Sequence, residues 1–244
     1  MKNSSVLLSG LAALLSLPAT AGEVTVTTGL DYSSGKYGTS ETSEIWYMPI
    51  AAKYETGPVT LKLTIPYLRI TNAVVDQDGV PVSNCGGTKS GMGDISASAG
   101  YALLDGTQGG WLLDAVGKVK LPTAENDCLG NNKTDYSLQF DVAKSFGSVT
   151  GFGTLGWKDM GNSDFRNPYF ASLGLAAKVA PATTIGTTYD WRQKLTSSGD
   201  PVSEASIFLS QKLSNEWKLQ VYAVKGFSDN SPDHGGGVMV SYIY

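Results

Sequence analysis

Val59-Thr60-Leu61-Lys62-Leu63-Thr64-Ile65-Pro66-Tyr67-Leu68 alternates apolar and polar side chains over most of its length. Successive side chains of a strand point to opposite faces. This stretch therefore sets Val59, Leu61, Leu63, Ile65 and Tyr67 on one face and Thr60, Lys62 and Thr64 on the other. The pattern returns where Tyr136, Leu138, Phe140 and Val142 alternate with Ser137, Gln139, Asp141 and Ala143. It closes the chain at Val238, Val240, Tyr242 and Tyr244. Beyond residue 22 no stretch sustains the 3.6-residue period of a helix.

Twelve such segments can be marked, near 23–33, 43–55, 59–73, 92–104, 110–121, 134–145, 149–158, 169–179, 183–195, 203–213, 217–227 and 236–244. Their connections take turns. Thr56-Gly57, Asp105 to Gly109, Gly147-Ser148, Pro181-Ala182 and Asn215-Glu216 are short. Those at 34–42, 74–91, 122–133, 159–168, 196–202 and 228–235 are mostly longer and rich in Gly, Asn, Asp and Ser. An even strand count with short turns at one end and longer loops at the other predicts an all-β fold. It is a closed antiparallel transmembrane β-barrel of about twelve strands, with short periplasmic turns and longer extracellular loops. A soluble β-sandwich also alternates, but it turns its apolar face inward and leaves edges that a barrel closes.

Composition agrees. The 244 residues are 10% aromatic and 16% charged, against about 25% charged in soluble domains. The aromatics exclude a disordered chain, the irregular glycines exclude collagen, and a net charge of -4 argues against a nucleic-acid binder. Lys2, the apolar run from Val6 to Leu17 and the small-residue exit at Ala19-Thr20-Ala21 read as a signal peptide. The run is shorter than the ~20 residues that span a bilayer as a helix. The domain plan is a cleaved leader, 1–21, and a single outer-membrane barrel, 22–244.

Aromatic side chains reinforce this plan. Trp46, Trp157 and Trp191 share the apolar parity near the long-loop end, whereas Trp111, Trp217 and Tyr244 do so near the short-turn end. Two aromatic girdles around an aliphatic band suit the two membrane interfaces. Cys85 and Cys128 fall in two long loops at one end and, in an oxidising compartment, are expected to form a disulfide worth ~2–4 kcal/mol. Two thiols and His234 do not make a zinc site, and no metal or cofactor is expected.

By parity the inward basic side chains are Lys53, Lys62, Lys118, Lys120, Lys158, Lys178, Arg192, Lys212 and Lys218. The inward acids are Glu23, Asp31, Asp94, Asp114, Asp141 and Asp190, which leaves an excess of three positive charges. Either these charges are paired and fill a narrow interior, or they line a pore with mild anion preference. Pro49 and Pro66 lie inside adjacent strands, each without a ladder donor, and are expected to mark bulges or a kink that narrows the bore or opens the wall. His234 stands near Ser231 and Asp233, but turn chemistry explains all three and catalysis is not expected.

Several stretches taken in order carry a resemblance. Gly91-Met92-Gly93-Asp94-Ile95 opens a segment that ends in Gly100-Tyr101-Ala102-Leu103-Leu104. Val119-Lys120-Leu121-Pro122-Thr123, Thr134-Asp135-Tyr136-Ser137-Leu138 and Lys144-Ser145-Phe146-Gly147 follow. Tyr189-Asp190-Trp191-Arg192, Leu213-Ser214 and Gly226-Phe227-Ser228-Asp229 complete the set. From about residue 60 onward the chain resembles the bacterial outer-membrane barrel family named for the meta-pathway of phenol degradation. It departs from that pattern at Ala124, where the family has Gly, and in its cysteine pair. The resemblance implies passive uptake of small, often hydrophobic or aromatic compounds and carries over no catalytic residue. Outer-membrane lipid and lipopolysaccharide are the expected surroundings. The barrel-assembly machinery, which reads a terminal aromatic such as Tyr244, is the expected partner in biogenesis. The alternatives are a closed structural or surface-binding barrel and, more remotely, a barrel hydrolase.

Overall fold

The structure, a computed structural model, describes residues 22–75, 81–107, 109–197 and 199–244. The leader at 1–21 lies outside the described residues. The described strands are β1 (Glu23–Gly35), β2 (Ser43–Thr56), β3 (Val59–Val75), β4 (Pro81–Met92), β5 (Ser96–Asp105), β6 (Trp111–Lys120) and β7 (Asp135–Phe146). They continue with β8 (Val149–Asp159), β9 (Tyr169–Ala180), β10 (Thr183–Arg192), β11 (Val202–Lys212), β12 (Trp217–Gly226) and β13 (His234–Ile243). Consecutive strands pair antiparallel, except β4 and β5, which both pair with β3, and β13 returns to β1 through partners running from Thr25 opposite Ile243 to Ser34 opposite His234.

Thirteen strands fill twelve places in the ring. The long-loop half of β3 pairs with β4, Tyr67 standing opposite Met92, and its other half pairs with β5, Thr64 standing opposite Ser96. β4 and β5 are thus one barrel strand interrupted at Gly93-Asp94-Ile95. The sequence reading of 74–91 as a loop is corrected here: most of it is β4, extending the hairpin with β3. Its Gly-Gly-Thr-Lys-Ser-Gly run carries no apolar face, so alternation could not reveal it.

The two prolines stand directly opposite one another across β2 and β3, in a ladder without a register shift. The expected bulge occurs at Pro66 alone, on the side of β4 and β5, where Gly93, Asp94 and Ile95 stand against Ile65 and Pro66. Each proline interrupts the ladder on its other side. The β1–β2 partners skip from Thr28–Ile50 to Asp31–Tyr47 around Pro49. The β3 partners skip from Thr64–Ser96 to Tyr67–Met92 around Pro66. A proline has no N–H to give, so both breaks fall where a donor is missing.

The apolar rows face outward. Leu173 is 70% exposed and Ile207 67%, and Leu61, Leu63, Leu138, Phe140, Leu155 and Leu175 are exposed with them. A sandwich would press such rows between layers. Here they form the outer wall, as lipid requires.

On the inner face, aromatic rings lie over glycines of the neighbouring strand. Phe170 stands opposite Gly156, Phe152 opposite Gly174, Phe208 opposite Gly186 and Tyr222 opposite Gly237. In each pair a Cβ on the glycine would collide with the facing ring. Gly156→Ala is therefore expected to displace Phe170 and to cost about 1–3 kcal/mol, read as a lower unfolding midpoint in urea with lipid vesicles.

Candidate functional site

The inside of the barrel changes character along its axis. At the long-loop end Ile45 and Tyr47 of β2 and Leu68 and Ile70 of β3 face inward and are buried. This departs from the expected hydrophilic interior. The 121–134 segment folds over these side chains and adds Cys128 and Leu129, while Tyr37 comes in from the β1–β2 connection and Cys85 from β4. Ile45, Leu68, Ile70 and Leu129 are fully shielded, so this end is a packed apolar constriction. Burial pushes the Tyr37 hydroxyl above its ordinary range, and it donates to Ser33 at 3.0 Å.

Three devices hold the 121–134 segment in place. Cys85 and Cys128 are disulfide-bonded. Gly91 leaves room for the segment to cross β4, since a Cβ there would meet the Glu125 carboxylate and Leu129. Third, Asp94 accepts from the Thr123 and Ala124 amides at 3.0 Å each and pairs with Lys120 at 2.5 Å. Lys120 also reaches Asn131 at 2.6 Å and Asp135 at 3.6 Å, and Asp135 pairs with Lys158 at 2.7 Å. All four charged groups are buried, and the ion pairs supply the compensation that burial demands.

Towards the short-turn end the inward rows are charged, and the register sorts the charges by sign. Lys53 stands opposite Lys62, Lys62 opposite Ser98, Ser98 opposite Lys118, Lys118 opposite Ser137 and Ser137 opposite Lys158. This basic ladder climbs from β2 to β8. An acidic ladder runs parallel to it. Asp114 stands opposite Asp141, Asp141 opposite Thr154, Thr154 opposite Ser172, Ser172 opposite Asp190 and Asp190 opposite Glu204. One inward row, containing Val116, Gln139, Phe170 and Arg192, separates them. Lys212 and Lys218 form another facing pair near the short turns, and Lys178 lies exposed at that end of β9.

Like charges directly opposite one another are destabilising in a sheet. Lys53–Lys62, Lys212–Lys218, Asp114–Asp141 and Asp190–Glu204 are four such pairs, and exchanging partners would remove them. Local bonds temper the acidic ones: Asp141 accepts from Thr154 at 2.5 Å and Gln139 at 2.9 Å, and Asp190 from Thr188 at 3.0 Å. Tyr222 donates to Asp31. Lys53 pairs with Glu55 at 2.5 Å.

Glu55, Asp135 and Glu204 face inward as well and are buried, and the sequence reading passed over them. They lie inside the segments marked at 43–55, 134–145 and 203–213, on the polar parity of each. Adding these three removes the expected excess of three positive charges. Sorting into parallel rows, rather than a net sign, is what the lumen shows. Applying the same parity to every charged residue of those segments finds all three.

No family model and no curated protein matches the sequence. Among solved structures, an outer-membrane channel from Pseudomonas putida F1 superposes with a TM-score of 0.65 at 18% identity, covering 94% of this chain and 97% of that one. The fold is that of an outer-membrane barrel. The KdgM porin matches at a TM-score of 0.55 and 10% identity, over 89% of this chain and 98% of that one. The CymD monoaromatic hydrocarbon channel matches at 0.52 and 10% identity, over 100% of this chain and 92% of that one. Likeness at these identities extends to the fold.

The remaining candidates find structural places. Trp46 stacks near Tyr32 with ring centroids 4.7 Å apart at the long-loop end. Trp217, Tyr242 and Tyr244 form edge contacts at the short-turn end, centroids 4.8 and 4.5 Å apart. Lys144 lies over Trp111 at 4.6 Å. Trp157 is partly exposed and Trp191 half-buried. Ser231 accepts from the Ser203 amide at 2.9 Å and donates to its carbonyl at 3.0 Å, while His234 opens β13 beside Tyr32 at 6.3 Å. Ser231 is thus engaged in fastening a loop.

Proposed function

We propose that the protein is a passive, non-enzymatic outer-membrane channel for small solutes, exported by way of its 1–21 leader and driven by the solute's own gradient. A closed wall with lipid-facing apolar rows and a charged inner face supports this reading, and its carrying observation is the pair of sign-sorted ladders along the lumen. The short turns face the periplasm and the long loops the exterior, with lipopolysaccharide around the long-loop girdle and the assembly machinery engaging the last strand. Membership in the meta-pathway barrel family and the hydrophobic or aromatic solutes it implies are part of the proposal. Inward-facing Phe152, Phe170, Phe208 and Tyr222 give such solutes apolar contact.

The purified barrel in a planar bilayer tests this. Steady unitary currents are expected, with an ion preference that shifts towards cations in Lys62→Glu and Lys118→Glu, because a charge reversal at a lumen wall changes the local potential. Silence in ordinary salts would favour a closed structural or surface-binding barrel, a reading that the fully shielded Ile45, Leu68, Ile70 and Leu129 at the long-loop end support.

A further inference from the structure

Lysines and aromatic rings of the inner face lie at similar distances from the short-turn ends of their strands. Lys53 lies three residues before the end of β2 and Lys62 three after the start of β3. Phe152 lies three after the start of β8, Phe208 four before the end of β11 and Tyr222 five after the start of β12. In the ring order, β8, β11 and β12 are four or five places from β3, so the rings face the lysines across the bore. Phe152 and Tyr222 pack with Phe208 and Ala176 into one apolar patch. On the other side Lys62 is near enough to Lys53 and Lys118 to be repelled by both, and Lys218 near enough to Lys53 and Lys212.

The two walls select a ligand with two ends. A neutral aromatic would bring no charge to the lysines, and a small inorganic anion would leave the rings wet. Glu55 pairs with Lys53 at 2.5 Å, and a further anion beside Lys62 adds counter-charge to the like-charged contact that the register imposes, while a flat apolar body covers the rings. Lysine ammoniums are point charges that tolerate varied carboxylate geometry.

We propose that this level of the lumen is a binding station for small aromatic carboxylates, with the ring against Phe152, Phe208 and Tyr222 and the carboxylate against Lys53 and Lys62. The station rests on the channel reading for its role, but its occupancy can be measured without any current.

Calorimetric titration of the detergent-folded barrel with benzoate, benzamide and acetate tests it. Benzoate is expected to bind saturably, and benzamide and acetate about tenfold more weakly or not at all, since each lacks one of the two contacts. Lys62→Gln and Phe152→Leu are each expected to weaken benzoate about tenfold, whereas Lys62→Arg and the outward Lys225→Gln retain it. Heat-modifiable gel mobility confirms that each variant is folded. Equal binding of benzamide and benzoate, or benzoate binding unchanged in Lys62→Gln, would overturn the station. Currents without benzoate binding would remove the station and leave the channel. Benzoate binding without currents would do the reverse.

Discussion

Asp94→Ala is expected to release the 121–134 segment from the barrel interior. The carboxylate is 1% exposed, holds two backbone amides and neutralises Lys120. Its removal takes the 2.5 Å carboxylate from a buried ammonium that reaches Asp135 at the longer distance of 3.6 Å. Breaking one member of a buried ionic network costs about 3–5 kcal/mol, more than most single substitutions. Hydrogen exchange should show the amides of 121–134 losing protection while those of β7 to β12 keep theirs. The double change Asp94→Leu with Lys120→Met should recover much of the loss, because it removes both charges and their desolvation together. Protection unchanged in Asp94→Ala would mean that the network does not hold the segment.

Freeing the disulfide should have its largest effect on conductance. Cys85 and Cys128 are 43 residues apart, and a cross-link closing such a loop restricts the unlinked chain by about 4 kcal/mol. The bond joins the 121–134 segment to β4 beside Leu129, which is buried in one cluster with Leu68 and Ile70. Cys85→Ser with Cys128→Ser should widen the long-loop end and raise unitary conductance several-fold, with added flicker as the segment moves. Adding Leu129→Gly should raise it further by removing that apolar side chain. Equal conductance in the wild type and both variants would place the narrowest point of the bore elsewhere.

The sequence made the wall legible and the lumen only partly so. Alternation at Val59 to Tyr67 and at Tyr136 to Val142 identified which side chains meet lipid, because lipid imposes one rule on every strand. It also put Lys62, Asp114, Lys118, Asp141 and Asp190 on the inner face. Which inward residues become neighbours depends on the stagger between strands, and stagger is set by turns and shear rather than by any one strand's pattern. The facing pairs Lys53–Lys62 and Asp190–Glu204 were therefore invisible.

The inner face also breaks the simple rule of polar inside. Leu68 and Ile70 point inward because a loop folds back to cover them. Phe152 and Phe208 point inward because a glycine on the next strand makes room. Both reasons lie outside the strand that carries the residue. Pro49 and Pro66 spare the ladder they share and interrupt the two on either side, with an extra residue only at Gly93-Asp94-Ile95, and that asymmetry is set by the partner strands.

The first and last described strands are partners, with the Tyr244 amide donating to the Val24 carbonyl at 2.9 Å. Neither mate can find the other until every intervening residue has been made. The ring consequently cannot be completed piecemeal, and until it is, two raw edges stay open. Closure is therefore the longest-range contact in the chain, and it should be the slow, last step of refolding in vitro.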